Sequence, residues 1–170
     1  MLDLSWITQT LAIGGSFLPS EAPELAREHR VAAIVDLRGE DCDDAQLLAN
    51  HGIELLHLPT VDLAPVTPAM LDRGVRFVTA HLAAGRRVLV HCTYGIGRSV
   101  LLGLCVLVAH GHAPMDALAL AKERRACVSP SPAQYNAWAT WLATWQVDRC
   151  ATWRVPSFEE FRAIAYRRPL

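Results

Sequence analysis

The strongest hydrophobic pattern in the chain is a pair of apolar runs, "VLV" at 88–90 and "VLLGLCVLV" at 100–108, separated by a glycine loop. The first has the length of a buried strand and the second of a buried helix. Upstream, "VAAIVDLR" (31–38) is a continuous apolar run bounded by charges, as an interior strand of a sheet covered on both faces requires. "TLAIGG" (10–15) predicts a short edge strand ending in a turn, and "SEAPELAREH" (20–29) a short helix behind a serine cap. "DDAQLLANHG" (43–52) predicts a helix stopped by Gly52, and "IELLHLP" (53–59) the next strand. After the loop "TVDLAPV" comes a helix over 67–85, with Thr67 as cap, Pro68 in the first turn and Gly85 at the end. "RRVLVHC" (86–92) is a strand, and "RSVLLGLCVLVAHG" (98–111), "APMDALALAKERR" (113–125) and "PAQYNAWATWLATWQ" (132–146) are helices. Such alternation predicts an α/β fold with three layers, α/β/α, around a mostly parallel sheet of about four to five strands.

The 170 residues, 52% of them hydrophobic, can bury one core, so a single domain over 1–170 is expected, with a core at about 5–146. Residues 147–170 are expected to form a linker and a short terminal helix, and the last four, "RRPL", a solvated end. The net charge of −1 with scattered signs gives no footprint for nucleic acid or an anionic membrane. "MLDLSWITQT" has no secretory pattern and no apolar run reaches a membrane span, so a cytoplasmic protein without membrane insertion is expected. Five cysteines (Cys42, Cys92, Cys105, Cys127, Cys150) without a CxxC pair argue against a disulfide framework and against zinc. They read as free thiols in a reducing compartment, and no cofactor or metal is implied.

A glycine loop between a buried strand and a helix is where α/β proteins bind anions, because free N–H groups and the positive helix end point at the ligand. The dinucleotide fingerprint fails at Val100, the nucleotide P-loop fails for want of Gly-Lys-Ser/Thr, and the GxSxG elbow fails at Leu101. What remains is a cysteine, five residues, and Arg98-Ser99. A thiolate at a helix N-terminus beside a guanidinium ionises well below an ordinary cysteine, which would make Cys92 a nucleophile at neutral pH. Arg98 offers a fork of donors matched to two phosphate oxygens. Together they specify attack on a phosphoryl group.

At this point the residues carry a family resemblance. "HCTYGIGRS" resembles the HCxxGxxR[ST] loop of cysteine-dependent protein tyrosine phosphatases, especially the dual-specificity branch. "ITQTLAIGG" and "AAIVDLR" are similar to strands of that branch, and "VDLAPVTPAMLDRGVRFV" to the acid loop and helix of its phosphatidylglycerophosphate phosphatase-like members. The resemblance implies that Cys92 forms a phosphocysteine and that Arg98, with the amides of Thr93, Tyr94, Gly95, Ile96 and Gly97, holds the phosphoryl oxygens. It implies that Ser99 eases thiolate departure, that His91 helps set the thiol pKa from behind, and that Asp62, thirty positions before Cys92, is the general acid and base. Asp36 and Asp72, near a strand end and inside a helix, are worse placed.

The implied enzyme is a phosphomonoester hydrolase. Uncharged Thr93, Tyr94 and Ile96 disfavour highly phosphorylated inositol lipids, so phosphotyrosine and phosphoserine/threonine proteins are the expected partners, with a lipid phosphate as the alternative. A non-catalytic phosphate-binding module and a redox sensor are the readings from other classes. Tyr94 could line the pocket mouth or cover apolar surface. The helical stripe Tyr135, Trp138, Trp141, Leu142 and Trp145 reads as core, and Gln134 is left outside the expected site.

Overall fold

The apolar run at 31–38 forms a strand, β3 (Val31–Arg38), in the computed structural model, which describes residues 2–167. Alternation decides where its side chains go. Ala33, Val35 and Leu37 enter one apolar cluster and Ile34 the other. The same split separates Val88 and Val90 from Leu89 on β5 (Arg87–His91). β3 and β5 pair in parallel, β4 (Glu54–Thr60) lies beside β3, and β2 (Leu11–Gly14) lies beside β5, both also in parallel. A three-residue strand, β1 (Leu4–Trp6), runs antiparallel along β2, giving the order β1-β2-β5-β3-β4.

Two short helices, α1 (Ala22–Arg27) and α2 (Ala45–Asn50), contribute Ala22, Leu25 and Leu48 to the cluster on one face of the sheet. The other face carries α3 (Pro68–Ala83), α4 (Arg98–Ala109), α5 (Pro114–Arg124), α6 (Pro132–Arg149) and α7 (Phe158–Ala165). This is the expected three-layer α/β/α fold with a five-stranded, mostly parallel sheet. Every residue of α4 from Arg98 to Val108 is buried, as an all-round apolar helix must be. Gly74 lets α3 approach it, for a Cβ there would lie 2.7 Å from a Leu102 methyl.

Several expectations are corrected. "TLAIGG" is not an edge strand, because β1 pairs along its outer side; three residues are too few for their alternation to register in the sequence. Ser20 is not a helix cap: it lies within a 3₁₀ turn, Pro19–Glu21, where the Glu21 carboxylate accepts from the Leu18 N–H at 2.8 Å. α2 is shorter than expected because Asp44 caps it, accepting from the Leu47 N–H at 2.9 Å, which leaves Asp43 outside the helix. α6 runs to Arg149, so the connection begins at Cys150 and not at residue 147. Trp138, Trp141 and Leu142 of its aromatic stripe are core, as expected.

The terminal helix packs against α5 and α6. Phe161 is buried, the Tyr166 hydroxyl donates to the Pro130 carbonyl at 2.8 Å, and Lys122 Nζ donates to the carbonyls of Val128 and Ala165. Arg167 is exposed, and residues 168–170 of the expected solvated end lie outside the described residues. No helix among the described residues is long and apolar enough to cross a membrane.

The sheet has one consequence for the site. Because β2, β3, β4 and β5 are mutually parallel, the loops that follow all four emerge at one edge, where ligands of α/β sheets bind. Those loops carry Ser16, Glu40, Asp62 and Cys92, residues far apart in the chain.

Candidate active site

Cys92 follows the last residue of the central strand β5 and is 2% exposed. Gly95 adopts a positive φ of 66°, so the chain folds back and its N–H donates to Cys92 Sγ at 3.3 Å. Ser99, in the first turn of α4, places its hydroxyl 3.3 Å from the same sulfur. Burial opposes ionisation of the thiol, but the Ser99 hydroxyl and N–H, the Gly95 N–H and the Arg98 charge outweigh it, and the pKa falls below its ordinary value. Cys105, buried within α4 without such donors, is pushed well above that value by desolvation.

This difference is measurable. The rate of Cys92 alkylation by iodoacetamide, followed by peptide mass, should reach its half-maximum below the ordinary cysteine pKa of about 8.5. A lowered pKa populates the thiolate at lower pH, so Ser99→Ala, which removes a donor to the anion, should move the half-point upward. A curve coinciding with that of free cysteine would contradict the geometry.

Arg98 begins α4 and is 1% exposed. Its Nη1 donates to the Thr60 carbonyl at 2.8 Å and to Glu40 Oε2 at 2.7 Å; its Nη2 donates to Glu40 Oε1 at 2.8 Å and to Thr93 Oγ1 at 3.2 Å. The Nε is buried and has no acceptor among the described residues. A buried guanidinium N–H without a partner is costly, and a phosphoryl oxygen in the loop would supply one. Asp62, half exposed on the loop after β4, has Oδ1 3.2 Å from Arg98 Nη2. That loop is fastened by α6: Ser131 Oγ donates to the Leu63 carbonyl at 2.7 Å and Gln134 Nε2 to the Ala64 carbonyl at 3.4 Å. The structure therefore brings Cys92, Arg98, Ser99 and Asp62 to one place. Asp72 is remote from this place in role, accepting from Trp141 Nε1 at 2.9 Å, and Asp36 is committed to Arg38.

His91 is fully buried behind the loop, with Nε2 2.8 Å from Asp43 Oδ2 and Nδ1 3.4 Å from the Cys92 carbonyl. Thr93 is half-buried and its hydroxyl donates to Glu40. Ile96 is half-buried, and its carbonyl accepts from the Ser129 N–H at 2.8 Å. Tyr94 is 63% exposed on the loop.

The acidic segment 39–44, of which only residues 43 and 44 enter an expected element, as the start of a helix, supplies residues that the sequence reading missed. Glu40 grips Arg98 with both oxygens, and that guanidinium holds its carboxyl well below the usual carboxylate range. Asp43 orients His91 and, with Asp36 and Asp41, surrounds the Arg38 guanidinium. Asp36, Asp43 and His91 have ligand atoms within 4.8 Å of one another, but both carboxylates already accept from Arg38 and the cluster is an ion-pair network. Gln134 was also undervalued: a Cβ on Gly97 would lie 2.5 Å from its Oε1, so it packs directly on the loop.

A family model described as "Dual specificity phosphatase, catalytic domain" matches residues 18–144. The chain is 29% identical over 135 residues to phosphatidylglycerophosphatase and protein-tyrosine phosphatase 1 of Mus musculus, covering 75% of this chain and 70% of that protein. It is 34% identical over 119 residues to protein tyrosine phosphatase PRL-1 of Leishmania major, covering 63% and 67%. The crystal structure of PTPMT1 in complex with PI(5)P superposes with a TM-score of 0.78 at 26% identity, covering 85% of this chain and 97% of that one.

Proposed function

Because the chain belongs to the family of dual specificity phosphatase catalytic domains and is a cysteine-dependent phosphatase, we propose that it hydrolyses phosphate monoesters through a phosphocysteine on Cys92. One observation carries this reading: a buried thiol receives hydrogen bonds from Ser99 and Gly95 beside a buried arginine whose Nε lacks a partner. The Cys92 thiolate attacks phosphorus, forming the S–P bond as the P–O bond to the leaving group breaks. Arg98 and the loop amides stabilise charge on the three non-bridging oxygens. Asp62, entering as the carboxylic acid, gives its proton to the departing oxygen. Its carboxylate then takes a proton from the water that attacks phosphorus. The S–P bond breaks, inorganic phosphate leaves, and the Ser99 hydroxyl supports the returning thiolate. Glu40 and His91 act through others, the first by orienting the Arg98 fork and the second from behind the loop.

The substrates we assign are phosphotyrosine and phosphoserine/threonine proteins. The exposed aromatic Tyr94 on the loop, with Val61 and Leu63 exposed on either side of Asp62, offers apolar contacts to the group that carries the phosphate. Similarity to a phosphatidylglycerophosphatase and to a protein solved with PI(5)P favours a second reading, a lipid phosphate. Turnover of a phosphotyrosine peptide against that of dispersed phosphatidylglycerophosphate decides between them. All five cysteines are free, as the reducing cytoplasm would keep them, and we place the protein there.

Asp62→Ala tests the acid. For an alkyl phosphate, whose leaving group needs a proton, kcat should fall roughly 10²- to 10⁴-fold. For an aryl phosphate with a strongly acidic phenol the loss should be much smaller. Equal, unchanged rates on both would place the acid at another residue.

A further inference from the structure

We propose that Arg125, at the end of α5, is a positioning residue that sets the phosphate-binding loop from outside, and that Asp3 of the segment entering β1 locks it there. The proposal rests on the phosphatase reading above and assigns that site a further part. Arg125 is 4% exposed. Its Nε donates to the Gly95 carbonyl at 2.7 Å and its Nη2 to the Tyr94 carbonyl at 3.0 Å. On its other side it makes a bidentate pair with Asp3, Nη1 to Oδ1 at 2.9 Å and Nη2 to Oδ2 at 2.8 Å, and Nη1 also lies 3.3 Å from Ser5 Oγ.

The loop needs such a device because a peptide unit is planar and trans, so its C=O and N–H point in opposite directions. Amides can face a phosphoryl group only if the carbonyls before them face away and find donors there. Four successive carbonyls of the loop do so. Thr93 O accepts from the Ser16 N–H at 3.0 Å, Tyr94 O and Gly95 O from Arg125, and Ile96 O from the Ser129 N–H. One side chain therefore fixes the two central peptides, and turning the Tyr94 and Gly95 carbonyls outward aims the N–H groups of Gly95 and Ile96 inward. The Gly95 N–H does reach Cys92 Sγ. A lysine would offer a point charge without the fork that spans two carbonyls and a carboxylate.

The glycine of the loop fits this arrangement. A Cβ at Gly95 would lie 2.4 Å from Arg125 Nη2, so the guanidinium occupies space that only glycine leaves open. Its charge also acts on Cys92, and desolvation of Arg125 is outweighed by Asp3, Cys127 and Cys92. The charged groups around the thiol are thus Arg98 and Arg125, with Glu40 and Asp62 paired to Arg98 and the titratable His91 adjacent in the chain. Asp3 is tied in through its backbone as well, its carbonyl accepting from the Gly15 N–H at 2.9 Å.

The test uses the full chain with Arg125→Lys and Asp3→Asn, the second being a change on a half-exposed side chain that keeps the fold measurable if the first does not fold. Three quantities are read: the pH dependence of Cys92 alkylation, the inhibition constant of tungstate, and kcat and KM for an aryl phosphate. Arg125→Lys should shift the alkylation curve to higher pH and weaken tungstate binding and kcat by roughly tenfold or more each, as loss of loop geometry predicts. Asp3→Asn should move all three in the same direction by less. Folded variants that keep the wild-type alkylation curve and tungstate affinity would overturn the proposal. Alkylation needs no turnover, so that result is distinct from a wild-type protein that fails to hydrolyse any monoester, which would count against the phosphatase reading instead.

Discussion

Cys92→Ser is expected to lower kcat for every phosphomonoester by roughly 10⁵-fold or more, the scale seen when a nucleophile acting in a concerted unit is removed. The loop lowers the pKa of a thiol by donating to its anion from Ser99 and Gly95, with Arg98 nearby. The same donors cannot ionise an alcohol at neutral pH, because a hydroxyl holds its proton about as tightly as water does, far above the range in which a thiol ionises. Oxyanion binding should survive, since the amides of the loop and the Arg98 fork are untouched and a repelling negative charge is gone. The measurement is a phosphate-release assay paired with tungstate titration of both proteins. Loss of binding together with turnover would mean that the serine had disrupted the loop, and turnover at the wild-type rate would remove Cys92 from the mechanism.

Arg98→Ala is expected to reduce kcat/KM by roughly 10⁴-fold, since each preorganised donor to a developing oxyanion is worth about 10² to 10³ and the fork supplies more than one. Unlike the serine variant, it should lose tungstate affinity as well. Removal also leaves Glu40, whose carboxylate depends on this guanidinium, next to the phosphate site with an uncompensated charge. Arg98→Lys should recover little of the loss, because an ammonium restores charge without two parallel N–H bonds. Steady-state kinetics on an aryl phosphate would check both variants, and a lysine protein within tenfold of wild type would show that charge alone suffices.

The reach of the sequence follows from how each group is delivered. Cys92, Arg98 and Ser99 stand within eight consecutive residues, so their convergence needs only a strand, a turn and a helix, and the pattern of apolar residues shows all three. Asp62 is found because it stands on a polar loop after a strand, thirty positions before Cys92, where the resembled family carries its acid. Glu40 and Asp43 were missed for a physical reason: the order β2-β5-β3-β4 sets the segment after β3 beside the loop after β5, and strand order is not written in local periodicity. Arg125 was missed because it reaches the loop from the end of α5, through helix packing that local periodicity does not show either. A run such as residues 40–44, with four carboxylates, reads as solvated surface until Arg38, His91 and Arg98 are known to face it. β1 escaped notice for its three-residue length, and with it the Asp3 contact to Arg125.

The central claim is a covalent phosphoryl group on Cys92, and the direct measurement is the mass of protein quenched with acid during turnover of an aryl phosphate. Ser99→Ala is the protein to use, because loss of the hydroxyl that supports the departing thiolate slows the second step and lets the intermediate accumulate. The account predicts a species heavier by one phosphoryl group, located to the peptide containing Cys92 and absent from Cys92→Ser. A phosphoryl group on any other residue, or product release with no covalent species at any quench time, would contradict it.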